Sequence, residues 1–558
     1  MPKTLPLGFS DFRAARLDSP SGNYVDKSLF CARVLRTDAA AFVFCRPRRF
    51  GKTLNITMLR EFLQLPVAGD TPSRDPFAGM AILDDAEAMR HRGQHPVLYL
   101  SLKGVKAMHW PAALAAIRTA VLQAWTPVRV EPEQMSAMRR DELANAVARN
   151  APARDLVFSL MHMVHALHEF HGKRVWLLID EYDAPLQSAW LHGYYEECVT
   201  FFKTFFGEAA KDSSAVARTV MTGVLRVAKE GVLSDLNNLT VDTVLEHNFA
   251  TDFGFTEAEV TELAGDDPAL LAEMRRWYNG YSIGGHAIYN PWSVAETLSK
   301  PRDPLQARWI ATGGTELLER LLSRAAPDVH TALELVLSGG SVEGPVVPGV
   351  AMRDIERDSK MLLTMLLHAG YLSASGVRSA DGELLATLAT PNLEVGGALR
   401  GLYHRWLANR STLSLAPERL FAALLSGDQD EAQQRLAALV LGVLSYHDLY
   451  DRTPERIYHV FVLGVLSVVP AGYRIESNRE FGHGRPDVVL LPGDAALPAA
   501  LLEFKAAEDG ETAATACDRA EAQIAKRRYV EAVRGSPVYA WAIGFERKRC
   551  VVRLVGAG

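Results

Sequence analysis

Apolar positions in the first 245 residues fall into short solid runs separated by stretches of helical period. The run AAAFVFC at 39–45 stops abruptly at Arg46-Pro-Arg-Arg-Phe-Gly-Lys-Thr53, and a helical period resumes in LNITMLREFL. That is a strand, a turn and a helix in immediate succession. From 95 to 245 the runs PVLYLSL, RVWLLID and RTVMTGV alternate with helical stretches such as LVFSLMHMVHALHEF. This spacing predicts βαβ units, and so a parallel sheet with helices on both faces. Residues 250–450 are Leu/Ala-rich and mainly helical in period, interrupted by a loop, SGGSVEGPVVPG, at 338–349. They offer no chemistry of their own. The hexapeptide VLGVLS occurs at 440–445 and 462–467, which reads as chance likeness of two buried helices rather than a repeat. From 451 the order is helix, extended pair, helix and a last strand pair, the outline of a compact α/β module. The expected division is 1–249, a sheet domain; 250–345, a helical lid; 346–450, a helical linker; and 451–558, the α/β module.

Composition changes this picture little. The 558 residues are 48% apolar and 23% charged, ordinary globular usage with room for three or four domains. Five scattered cysteines without a C-x-x-C pair argue against a zinc knuckle or a disulfide framework. The first residues lack the apolar core of a signal peptide, and no apolar run is long enough to span a bilayer. The expectation is a reduced, cytoplasmic protein without a membrane partner. The net charge of −6 argues against a purely electrostatic nucleic-acid binder, but its distribution withdraws that objection. Residues 1–60 carry +7, residues 451–558 carry +1, and the stretch between them carries −14.

The first candidate site binds phosphate. Gly51, Lys52 and Thr53 supply the second half of G-x-x-x-x-G-K-[ST]: backbone N–H groups at a helix start, a Lys to reach phosphates and a hydroxyl for Mg²⁺. Arg46 stands where that pattern has its first Gly. Asp180 and Glu181 end the apolar strand VWLLI, where carboxylates face the ligand crevice of an open α/β sheet. Asp180 is the expected Mg²⁺ ligand and Glu181 the base for an attacking water, the bland alternative being a helix N-cap. Beyond the next strand stand Thr222 and Arg226. They read either as a γ-phosphate sensor and a charge-stabilising Arg, or as a buried hydroxyl and a surface Arg.

The second candidate site combines Asp487, in Gly484-Arg-Pro-Asp487, with Glu503-Phe-Lys505 sixteen positions on. Residues two apart on a strand share a face, so Glu503 and Lys505 project together while Phe504 turns into the core. With Asp487 on the adjacent strand, two carboxylates and an ammonium converge. Such oxygens suit Mg²⁺ or Mn²⁺, and the Lys would orient a water toward a phosphodiester; an exposed strand salt bridge would use the same letters. Lys526, Arg527 and Arg528, with Arg547, Lys548 and Arg549, read as phosphate-backbone contacts or as a solvated face.

These residues, together with Tyr24-Val-Asp-Lys27, Leu236-Asn-Asn-Leu239, Trp277-Tyr-Asn-Gly-Tyr281 and Tyr289-Asn-Pro-Trp292, make the chain resemble the bacterial AAA-ATPase-like proteins that carry a C-terminal PD-(D/E)xK nuclease domain. The family shares the Arg at the first glycine position. The resemblance implies a P-loop NTPase, a helical middle region and a restriction-endonuclease-like α/β domain. It implies that Arg48 and Arg49 touch phosphate or a neighbouring subunit, against the alternative of a solvated basic turn. Gln523, on the helix after the Glu503 strand, would pack against the nuclease site and touch its water or the DNA backbone. Glu480 matches an acidic position of the metal site, whereas Asn478 stands where many relatives have a Glu. Tyr458 and His459 look like packing residues, as do Trp277, Tyr278, Tyr281 and the Asn290-Pro291 turn. The expected function is ATP binding and hydrolysis joined to Mg²⁺- or Mn²⁺-dependent cleavage of DNA, endonucleolytic rather than exonucleolytic. On the resemblance alone, that activity serves defence against phage or mobile DNA. The rival reading is an NTP-dependent switch that changes oligomeric state, its last module binding nucleic acid without cutting. A protein with both sites decayed is disfavoured by the intact motifs.

Overall fold

The computed structural model describes the chain except residues 1–2, 21, 67–73, 129, 131–134, 149–150, 212, 227–231, 234–238, 301–302, 310–319, 321–326, 338, 348, 350–351, 353–358, 381, 411–416, 444–457, 459–461, 463–465, 467–471, 478–485, 509, 528, 530–532, 534–536, 548 and 558. The chain divides into two compact units, Met1–Leu317 with Glu343–Val395, and Leu318–Val342 with Gly396–Gly558.

The first unit is built on five parallel strands: β1 (Ala41–Cys45), β2 (Val97–Ser101), β3 (Val175–Asp180), β4 (Val216–Gly223) and β5 (Leu239–Asp242), in the order β2-β3-β4-β1-β5. Every residue of β1 and β3 is buried, whereas the edge strands β2 and β5 are partly open. Central parallel strands are covered on both faces, so their sequences read as unbroken apolar runs. That is why AFVFC and VWLLID were legible. One face carries an aromatic cluster in which Phe44 meets Phe249 edge-on, with centroids 4.9 Å apart, and Phe30 and Phe253 join them. Between β4 and β3 on one side and β5 on the other, β1 delivers the chain to the carboxyl edge of the sheet. There the helix Lys52–Leu63 begins.

A hairpin of β6 (Tyr281–Ile283) and β7 (His286–Ile288) follows, and then a three-stranded sheet. This sheet takes β8 (Val342–Val346), β9 (Ser373–Ala380) and β10 (Glu383–Ala389) in the order β8-β10-β9. The helical period expected over 250–450 misses it, and β8 lies inside the expected loop. Two causes are visible. β9 reads SASGVRSA, with only Ala374 fully buried, so it shows no apolar alternation. β8 contains Pro345, which a strand tolerates at a sheet edge, where β8 lies.

The second unit holds the sheet β11 (Tyr473–Ser477), β12 (Val488–Pro492), β13 (Ala499–Ala506), β14 (Val538–Glu546) and β15 (Arg549–Ala557), in sequential order. Only the β13–β14 pair is parallel; the helix Ala513–Arg527 makes the crossover. Alternate residues face two cores. Leu502, Phe504, Trp541 and Ile543 pack under the helices Pro417–Ser426 and Gln429–Val443, with Trp541 Nε1 donating to Leu424 O at 3.0 Å. Leu501, Ala540 and Ala542 face the helix Ala513–Arg527 through Cys517, Ala520 and Ile524.

That helix lies directly on the sheet at Gly544. A Cβ there would stand 2.0 Å from Ala513 O and 2.3 Å from Cys517 N. We therefore expect Gly544→Ala to destabilise the unit by about 1–3 kcal/mol, as overpacking a core does. Denaturant unfolding measures this, and an unchanged midpoint would contradict the packing.

Candidate functional site

The loop Arg46–Gly51 and the helix behind it form the first site. Gly51 takes φ 82°, a left-handed conformation open to glycine at little cost, and leaves the first amides of a twelve-residue helix at the sheet edge. Lys52 is 6% exposed, and its Nζ donates to two carbonyls of its own loop, Arg46 O at 3.0 Å and Pro47 O at 2.9 Å. Burial pushes the Lys52 pKa down, against the pull of Glu181, Asp183 and Asp180.

Opposite the loop, Asp180 is fully buried at the end of β3. Its Oδ2 accepts from Thr53 Oγ1 at 2.8 Å, and its Oδ1 accepts from Thr222 Oγ1. Thr222 can do this because β4 lies between β3 and β1, with Thr222 in register with Phe44. The Glu181 amide donates to Thr222 Oγ1 at 3.4 Å. Burial raises the Glu181 carboxyl, and Lys52 opposes the rise. Glu181 and Arg49 adopt φ 53° and 69°, two non-glycine residues in left-handed backbone on either side of the same crevice. Such conformations cost of order 1–3 kcal/mol each and concentrate at functional sites.

The remaining N-terminal candidates take diverse places. Arg49 is exposed, with its guanidinium stacked 4.0 Å from the centroid of Trp292. Arg48 donates to Gln187 Oε1 at 3.4 Å. Arg226 follows the turn after β4, where its charge bears on the buried His368 and on Cys45. Among the described residues no hydrogen bond joins it to Asp180 or Glu181. Tyr278 and Asn290 serve packing and capping: Tyr278 OH donates to Gln306 O at 3.1 Å, and Asn290 Oδ1 caps the helix Pro291–Ser299. Leu236-Asn-Asn238 lies outside the described residues.

Asp183 closes the stretch Leu178-Ile-Asp-Glu-Tyr-Asp183, part of the family resemblance, but the sequence assigns it no role. Its Oδ2 accepts from the amides of Val224 at 3.0 Å and Leu225 at 2.9 Å, and from Gln187 Nε2 at 2.7 Å. Tyr182 adds a bond from its hydroxyl to Leu225 O at 2.7 Å. Gly223 has no room for a Cβ, which would meet the Tyr182 ring at 2.6 Å and Asp183 Oδ1 at 2.7 Å. The turns after β3 and β4 are thereby clasped together. Its signal in the sequence is its place at the end of that motif, which says nothing of the groups its carboxylate accepts from.

The second site lies on β12 and β13. Val488 pairs with Leu502 across these antiparallel strands, so Asp487, one residue before β12, comes opposite Glu503. Asp487 Oδ2 accepts from the Phe504 amide at 2.7 Å. Glu503 Oε1 accepts from Lys505 Nζ at 3.4 Å and from Gln523 Nε2. Gln523 Nε2 also lies 3.4 Å from Tyr529 OH. Phe504 turns to the opposite face and is fully buried, as the strand period requires. Glu503 is 1% exposed, and its Oε2 is a buried oxygen with no hydrogen-bond partner among the described residues. Burial, and then the Asp487 charge, hold its carboxyl well above the usual carboxylate range. A carboxylate oxygen left so, beside a second carboxylate, is a place where a hard cation fits.

Of the basic cluster, Lys526 and Arg527 end the helix Ala513–Arg527, Arg547 turns from β14 to β15 with φ 50°, and Arg549 opens β15. Tyr458 stacks on Phe545 with centroids 4.2 Å apart, a packing role. Glu480, Asn478, His459, Arg528 and Lys548 lie outside the described residues.

Residues 6–233 match the family model described as Predicted AAA-ATPase, and residues 453–554 match the PD-(D/E)XK nuclease superfamily. An uncharacterized protein from the vnfD 5′ region of Azotobacter chroococcum mcd 1 is 27% identical over 563 residues, covering 99% of this chain and 98% of that one. Two solved structures share weaker likeness. A Walker-type ATPase of Pyrococcus abyssi is 14% identical with a TM-score of 0.33, covering 72% of this chain and 98% of its own. The ORC2 protein of Aeropyrum pernix is 12% identical with a TM-score of 0.27, covering 67% and 92%. Among the described residues no helix is long and apolar enough to cross a membrane.

Proposed function

With an AAA-ATPase-like region followed by a PD-(D/E)XK nuclease-superfamily region as the premise, we propose that this protein binds and hydrolyses ATP at Lys52–Asp180 and cleaves DNA at Asp487–Glu503–Lys505. The observation that carries the nuclease half is the buried Glu503 Oε2, without a hydrogen-bond partner among the described residues, beside Asp487 and Lys505. Mg²⁺ or Mn²⁺ would be held by Asp487 and Glu503 here, with Glu480 a further candidate, and by Thr53 and Asp180 in the first site. Bound there, the cation supplies Lewis acidity toward phosphoryl oxygen and water. Lys505, its Nζ 3.4 Å from Glu503 Oε1, orients the attacking water, while the Gln523 amide holds Glu503 Oε1 in place. Lys526, Arg527, Arg547 and Arg549 supply positive charge for the DNA backbone on the same unit.

In the first site Lys52 exchanges its two loop carbonyls for phosphate oxygens, and Glu181 takes the proton of the attacking water. Thr222 reads the γ-phosphate through Asp180, and Arg48, Arg49 and Arg226 are the candidate charges around it. The biological reading is defence against phage or mobile DNA. The test is incubation of plasmid and linear DNA with the purified protein in Mg²⁺ or Mn²⁺. Cleavage of both, abolished by chelator, supports an endonuclease; an uncut closed circle beside a degraded linear DNA would leave an exonuclease in its place.

The switch reading is favoured by one feature, Arg46 in place of the first glycine of the phosphate loop, which suits tight binding and slow turnover. Sizing the protein with and without ATP separates the two readings. An ATP-dependent change of oligomeric state with intact DNA would support the switch.

A further inference from the structure

Arg46 stands where a phosphate loop has its first glycine, and its side chain is wholly buried. Its Nη1 donates to Cys45 O and to Asp242 O, each at 3.0 Å. Its Nη2 donates to Phe249 O at 3.1 Å and pairs with the buried Asp242 carboxylate at the end of β5. The guanidinium also sits 5.0 Å from the Phe253 ring centroid. Its backbone works in the opposite direction: the amide donates to Gly223 O at 3.1 Å, and the carbonyl accepts from Lys52 Nζ. One residue therefore ties β4, β5 and the segment at 249–253 to the carbonyl that holds the phosphate lysine. Beside it, Gly254 N donates to Phe50 O of the loop at 3.2 Å, and Asn55 Nδ2, in the first turn of the following helix, donates to Asp252 O at 2.9 Å.

From this geometry we infer that Arg46 is a positioning residue for nucleotide, its guanidinium fixing the phosphate loop from beneath in a shape that a glycine would leave free. A glycine at this place gives a loop conformational freedom; the Arg46 cage replaces freedom with four hydrogen bonds, one of them a buried ion pair. Nucleotide then meets a loop already set, and the ordering cost is met in folding rather than on binding. The inference rests on the proposed ATP site, so its test includes that site's own control.

The experiment is calorimetric titration of MgATP into the full chain, with thermal unfolding of each variant alongside. Wild type should bind and Lys52→Ala should not; failure there is failure of the site, not of the anchor. Arg46→Lys keeps the charge but cannot span the four acceptors, and should bind about tenfold more weakly or worse. Arg46→Met with Asp242→Leu removes both charges, a replacement that a buried pair often tolerates, and should fold yet bind equally weakly. Asp242→Asn keeps an acceptor for Nη2 and should stay near wild-type affinity. Wild-type affinity in folded Arg46→Lys or in the double variant, with only the unfolding midpoint lowered, would overturn the inference. Loss of folding in both would do so as well, since Arg46 would then be a core element alone.

Discussion

Lys505→Ala should lower metal-dependent DNA cleavage roughly a thousandfold or more, the scale of several kcal/mol of lost transition-state stabilisation. Its ammonium is the one cation bonded to Glu503 among the described residues, 3.4 Å from Oε1, and neutral substitution leaves two carboxylates facing each other without it. Lys505 lies on a strand whose position is set by Phe504 on one face and Leu501 on the other, so the variant should fold as wild type. Gln523→Ala should cost less, about tenfold, because it removes one donor to Glu503 and leaves the carboxylates in place. Gel assays of initial cleavage rates measure both. A Gln523 variant more crippled than the Lys505 variant would reverse the assigned roles.

The second large effect concerns ATP. Lys52→Ala should abolish detectable nucleotide binding, whereas Glu181→Gln should bind ATP and turn it over about a hundredfold or more slowly. The difference follows from their places. Lys52 sits inside the loop, bonded to the carbonyls that phosphate would displace, while Glu181 lies beyond Asp180 across the crevice. Asp180 is already bonded to Thr53, so it stays in position in the Glu181 variant. Binding by calorimetry and turnover by phosphate release separate the two. Equal turnover in Glu181→Gln and wild type would remove Glu181 from the reaction.

The two candidate sites were legible because each is written on neighbouring positions of regular elements. Period two alone put Glu503 and Lys505 on one side of β13, and an unbroken apolar run announced β3 just before Asp180. Contacts between distant segments were not legible. Arg46 reads as a missing glycine until Asp242 is found beside it, 196 positions away in the chain. Asp183 has no stated role in the sequence until the amides of Val224 and Leu225 are seen on its carboxylate, since a buried acceptor is defined by what surrounds it. The small three-stranded sheet escaped for another reason. Its strand β9 is exposed over most of its length and its edge strand β8 carries a proline, so neither shows the alternation that marks a half-buried strand.

In the proposed function Asp487, Glu503 and Lys505 form one metal-dependent phosphodiesterase centre. Its most direct test is the cleavage of one labelled DNA by wild type and Asp487→Ala in the same Mn²⁺ buffer, with matched unfolding midpoints. The expected result is chelator-sensitive cleavage by wild type and none by the variant. Equal cleavage by the two proteins, or intact DNA with both, would contradict it.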